Sequence, residues 1–113
     1  MDGRVAPAQP AARPFVVGYV CEQLLLGPAD LERTKDRLHE YAAAADFHLG
    51  SIYVEHDVDG RVGFQALMAA VERYDVRHVL VPGLAHVQPI GRESKKAHIE
   101  HFTQATVQVA GSP

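Results

Sequence analysis

Apolar residues along this chain gather into segments of two alternating kinds. Phe15 to Cys21 is an unbroken run of β-branched and aromatic residues after Pro14. A run without polar alternation predicts a strand covered on both faces, as in parallel sheets. Gly27-Pro28 then marks a helix start, with Asp30 and Glu32 near the positive end of the helix dipole. Leu31, Leu38, Tyr41, Ala42 and Ala45 fall on one face at helical spacing. His48 to Glu55 predicts a second strand, followed by a polar turn over His56 to Gly60. Phe64, Leu67, Met68 and Val71 mark a second amphipathic helix that ends near Tyr74-Asp75. Val76 to Val81 predicts a third strand stopped by Pro82-Gly83, a third helix runs from about Gly91 to Phe102, and Thr106 to Ala110 is a fourth strand.

The order is β-α-β-α-β-α-β, with helices long enough to cross over between parallel strands. It predicts a three-layer α/β domain with a four-stranded parallel sheet. Met1 to Pro14, rich in alanine and proline, reads as a disordered tail, as does Gly111-Ser112-Pro113, leaving a domain over 15–110.

Composition narrows the function classes. The 113 residues suit one domain, large enough to fold without a disulfide or metal staple. Eleven Lys and Arg against 14 Asp and Glu give a formal charge of -3, which argues against a free-standing nucleic-acid binder. One cysteine excludes a disulfide framework within the chain and fits a reducing cytoplasm. No run approaches the roughly 20 apolar residues of a membrane span, and the amino terminus lacks the apolar block of a signal peptide. The abundance of Ala, Arg, Gly and Val suits a GC-rich bacterial genome.

Ligands of open α/β sheets bind beyond the carboxyl ends of the strands. Those ends are Cys21-Glu22-Gln23, Glu55-His56-Asp57, Pro82 to His86, and Ala110-Gly111. The loop from Glu22 to Pro28 has a single glycine and neither dinucleotide nor P-loop spacing, so no cofactor is expected.

Three motifs carry a resemblance. Gly18-Tyr19-Val20, Arg61-Val62-Gly63-Phe64-Gln65-Ala66-Leu67 and Val79-Leu80-Val81-Pro82-Gly83-Leu84 resemble, in order, segments of the catalytic domain of serine recombinases, the resolvase/invertase family. The resemblance spans about Phe15 to Ala110 and implies a resolvase-like fold with strand order 2-1-3-4. It places Tyr19, Cys21, Gln23, Glu55, Arg61, Ala85, His86 and Pro89 at the recombinase site. Cys21 stands where the family has an arginine, Gln23 where it has its nucleophilic serine, Ala85 and His86 at its Asp-Arg pair, and Pro89 at a further arginine. Arg61 matches an active-site arginine, and Glu55 lies near an active-site acid. Loss of one charge-stabilising donor costs about a hundred- to a thousandfold in rate, and here the nucleophile is replaced as well. The expectation is a domain that does not cut DNA and has no catalytic residues. The family's usual dimerisation helix and DNA-binding region have no counterpart before Pro113.

The leading expectation is therefore a non-catalytic, recombinase-like domain that acts by protein association in a regulatory or scaffolding role. It would be a homo-oligomer or the partner of another protein, because a four-stranded sheet leaves two edges. A second reading is a DNA-associated accessory factor of a recombination or regulatory system. It would hold phosphate weakly through Arg61 at a helix start and through a basic patch of Arg92, Lys95 and Lys96. A third is a small-molecule or cryptic hydrolytic site of Cys21, Glu55, Arg61 and His86, with His86 the base for Cys21. The alternative for Cys21 is a small buried hydrophobe. His98 and His101, with Glu100 between them, could share a metal at their spacing, but nothing completes the shell and no metal is expected.

Overall fold

The computed structural model describes residues 13–56, 61–88 and 94–110. Strand β1 runs over Phe15–Cys21, β2 over His48–Glu55, β3 over His78–Val81 and β4 over Thr106–Val109. The helices are α1 (Pro28–Ala44), α2 (Val62–Tyr74) and α3 (Lys95–Phe102), with single 3₁₀ turns at Glu22–Leu24 and Leu84–His86. The four strands form one parallel sheet in the order β2-β1-β3-β4, as the resemblance implied.

Each face of the sheet has its own core. Val17, Tyr19, Cys21, Val79 and Val81 point to one side, where Phe64, Leu67 and Val71 of α2 and Ile99 of α3 cover them. Val16, Val20 and Leu80 point to the other, under Leu38 and Ala42 of α1. The unbroken apolar run of β1 follows from this, because a central parallel strand has no solvent face. Glu100 of α3 accepts the Val107 N–H at 2.9 Å and so ties that helix to β4.

Local chemistry sets the helix ends. Gly27 has φ 146°, a conformation open to glycine, and Pro28 follows at the first helical position. Asp30 reaches back to accept the Leu26 N–H at 2.9 Å. Asp75 ends α2 in the left-handed region at φ 53°. Ser94 caps α3 by accepting the Ala97 N–H at 3.0 Å.

Four boundaries differ from the sequence reading. Ala45 is exposed and caps α1 rather than joining its buried face. Helix α3 begins at Lys95 rather than near Gly91, because Ser94 provides the cap; residues 91–93 lie outside the described residues. β3 begins at His78, with Val76 buried just before it. β4 ends at Val109, although the Ala110 N–H still donates to Val81 O at 2.7 Å. At the amino end, Pro14 O accepts the His48 N–H at 2.8 Å, so the sheet's bonding reaches into the segment read as tail.

Leu38 is fully buried at the centre of the core that α1 makes with the sheet. Leu38→Ala should lower stability in urea denaturation by about 3 kcal/mol, through lost transfer energy and the cavity left behind.

Candidate functional site

Five titratable side chains from four segments meet at the carboxyl end of the sheet. Tyr19 and Cys21 come from β1, Glu55 from β2, His86 from the turn after β3, and Lys95 from the first turn of α3. All five are buried.

Glu55 is the hub. Its Oε2 accepts the Gly63 N–H at 3.0 Å, and its Oε1 accepts the Phe64 N–H and the Tyr19 hydroxyl, each at 2.9 Å. The carboxylate thus caps α2 from outside the helix, where unpaired N–H groups and the dipole favour an anion. Gly63 permits the approach: a Cβ there would lie 2.9 Å from the Val54 carbonyl oxygen. Lys95 completes the group from the opposite side. Its Nζ donates to the Tyr19 hydroxyl at 2.8 Å and lies 3.8 Å from Glu55 Oε1, with the Tyr19 and Phe64 rings alongside at 5.3 and 5.7 Å. Glu55 is 2% exposed and Lys95 6%. Charges this deep are tolerated only when paired and hydrogen-bonded.

The surroundings set the protonation states. Burial pushes the Glu55 carboxyl up, but the Gly63 and Phe64 N–H groups, the Tyr19 hydroxyl and the Lys95 charge outweigh it and hold Glu55 below its ordinary range. Burial, the nearby Cys21 and the bond to Glu55 raise Tyr19 far above a free phenol. Burial also raises the Cys21 thiol, only partly offset by Tyr19 and Lys95. Near neutral pH the group holds an ionised carboxylate, a neutral phenol and a protonated thiol.

Cys21 and His86 do meet, as the hydrolytic reading required, but through the wrong atoms. The Cys21 backbone N–H donates to His86 Nδ1 at 2.9 Å, and the Cys21 thiol donates to the His86 carbonyl oxygen at 3.3 Å. The ring nitrogen facing the cysteine is occupied by backbone, and the thiol is held away from it. A thiol kept protonated beside a base that cannot reach it is no activated nucleophile. Burial, with a contribution from Arg37, lowers His86 from 6.5 to about 4, so the ring stays neutral. The geometry matches Cys21 as a buried structural thiol.

The basic patch is corrected likewise. Lys95 turns inward, because it lies four residues before the buried Ile99 and shares its face of α3. Lys96 pairs with Glu100 at 2.9 Å. Arg61 occupies the residue before α2 with no side-chain capping bond to the helix, its guanidinium 4.9 Å from the centre of the Phe64 ring, while Glu55 already fills the anion position at that helix end. Arg92 and Pro89 lie outside the described residues, and Gln23 and Ala85 are exposed in the loops after β1 and β3. His98 packs against the rings of Phe64 and Phe102, and Glu100 is spent on Lys96 and Val107. Among the described residues no three His, Cys, Asp or Glu side chains cluster to hold a metal, and no helix is long and apolar enough to cross a membrane.

Comparison with protein-family models, with curated proteins and with solved structures found no match to this chain.

Acid should loosen this end of the sheet in two stages. The unfolded chain takes up a histidine proton as pH falls below 6.5, whereas folded His86 refuses it until about 4. Stability should therefore fall between those values, and Glu55 should add a further loss as pH drops below the ordinary carboxylate range. Urea titrations from about pH 7.5 to 3 should show both stages, and His86→Gln should flatten the upper one.

Proposed function

We propose that this chain is a non-catalytic, serine-recombinase-like domain that works by protein association. The observation that carries the reading is the internal use of the polar groups where ligands of such sheets bind. Glu55, Lys95, Tyr19, Cys21 and His86 bond to one another or to nearby backbone, and burial keeps the nucleophile candidates protonated. Apolar side chains stand exposed on the same end: Leu26 is 94% and Val62 80% exposed, and Leu24 and Leu84 are about half exposed. Side chains of this kind concentrated at one end mark a surface for another protein rather than for a polar substrate.

The three recombinase-like motifs suit this picture. Tyr19, Glu55 and Arg61 persist, while glutamine replaces the nucleophile and a buried lysine neutralises Glu55 from within. Among the cations of the DNA-accessory reading, Lys95 and Lys96 are already engaged, and neither Arg61 nor any other described cation adds a new point in its favour. A regulatory or scaffolding role in a bacterial cytoplasm is the biological form of the proposal.

Light scattering on the full chain, paired with a duplex-DNA titration at low and moderate salt, tests it. We expect a discrete mass above the monomer, no covalent protein–DNA adduct and no strand cleavage. A strictly monomeric chain with salt-dependent affinity for duplex DNA would overturn the reading in favour of the accessory factor.

A further inference from the structure

The sheet changes winding direction between β1 and β3. The chain leaves β1 toward α1 on one face and leaves β3 toward α3 on the other. The carboxyl ends of two such strands part to form the crevice in which open α/β sheets bind ligands. Here the His86 ring stands in it. Register pairing of β1 with β3 stops at Gly18, and further along β1 the Cys21 N–H donates to His86 Nδ1. A ring nitrogen that accepts leaves the proton of the neutral imidazole on the other, so Nε2 is an N–H donor on the far side of the ring from β1. Among the described residues that donor has no partner. It is not sealed in either. Gln108 Oε1 is the one buried side-chain nitrogen or oxygen without a partner among the described residues, so His86 Nε2 meets solvent although the residue is only 7% exposed.

A cation stands near the same crevice. Arg37, on the flank of α1 turned toward β3, is close enough to act on His86 electrostatically and makes no ion pair among the described residues. A helical side chain leans toward the start of its helix, which for α1 is the carboxyl end of the sheet. The acids around it are engaged or placed elsewhere. Asp30, on the same flank, accepts the Leu26 N–H and pairs with Arg33, and Glu22 in the turn after β1 is held by His56. Glu40 lies one turn beyond Arg37, toward the amino end of the sheet, and Asp36 faces away from the sheet by its helical position. The turn from Pro82 to Gln88 contains no acid. Leu84 of that turn, and Leu24 and Leu26 after β1, are exposed on the two sides of the crevice.

We infer that the mouth of this crevice is a docking site for an acidic, apolar segment of another protein, its carboxylate received between the His86 Nε2–H and the Arg37 guanidinium and its neighbouring apolar side chains lying on Leu24, Leu26 and Leu84. The inference rests on the association reading above and names its partner by chemistry. A guanidinium and an N–H donor match the two oxygens of a carboxylate, and charge-assisted bonds of this kind strengthen where water is scarce. A phosphate would find a single cation and no vacant helix start, because Glu55 fills the start of α2 and Asp30 sits in the first turn of α1. The leucines add contact area that a free anion would not use.

Proton–nitrogen correlation spectra of the histidine rings in the full chain test the site with three probes: the blocked tripeptide Leu-Asp-Leu, its asparagine counterpart and inorganic phosphate. His86 Nε2 should shift saturably with the aspartate peptide, and the asparagine peptide should bind about tenfold more weakly. Arg37→Met, at an exposed position, should weaken the aspartate peptide about tenfold with the amide spectrum otherwise unchanged. Leu84→Ser should weaken both peptides by about threefold. Phosphate moving His86 Nε2 as far as the aspartate peptide does would overturn the peptide assignment in favour of a phosphate-bearing ligand. No response of His86 to any probe would overturn the site. Light scattering on the same sample then separates the two readings: a mass above the monomer leaves association standing without this site, and a monomer overturns both.

Discussion

The placement of one carboxylate governs the carboxyl end of this domain. Glu55 ends β2, caps α2 through Gly63 and Phe64, takes the Tyr19 hydroxyl from β1, and faces the Lys95 ammonium from α3. Two helices and two strands are fixed relative to one another through these two oxygens. The arrangement is self-consistent only as a whole. Without the N–H donors the carboxylate would not stay ionised in a buried position, and without the carboxylate the α2 amides and the Lys95 charge would lack their counterpart. Gly63 is the steric condition for it, since any side chain there would meet the Val54 carbonyl.

This constraint also bears on what the end of the sheet offers a ligand. An open α/β fold offers anions the start of a helix near its strand ends. Here the chain's own carboxylate fills that place at α2. The Lys95 charge is spent inside, and the Cys21–His86 contact closes β1 onto the turn after β3 through backbone groups. Among the described residues the buried polar groups at this end are engaged with one another, whereas the leucines around them and the long β2 edge remain exposed or half-exposed. The proposed association reading rests on that contrast.

The architecture was legible in the sequence because it rests on patterns that survive local variation. The apolar run without alternation at β1 identified a strand of the sheet interior, and the 3.6-residue spacing of Phe64, Leu67 and Val71 located α2. The errors at Ala45 and at the start of α3 are errors of capping, where a single side chain such as Ser94 decides. The site was only half legible. Position along the chain put Cys21, Glu55 and His86 at the strand ends, where they are, and the resemblance added Tyr19. It could not show that His86 offers Cys21 a ring nitrogen for its amide rather than for its thiol. Lys95 was misread because it sits beside Lys96 in sequence; its spacing of four from Ile99 was the signal that it belongs to the inner face of α3.

A double-mutant cycle between Lys95 and Glu55 addresses the central claim most directly. With Lys95→Met, Glu55→Gln and the double variant measured in urea at neutral pH, a buried and mutually dependent pair should show a coupling of about 2 kcal/mol or more. A coupling near zero would contradict the account, because it would mean that the ammonium and the carboxylate stabilise this end of the sheet independently of each other.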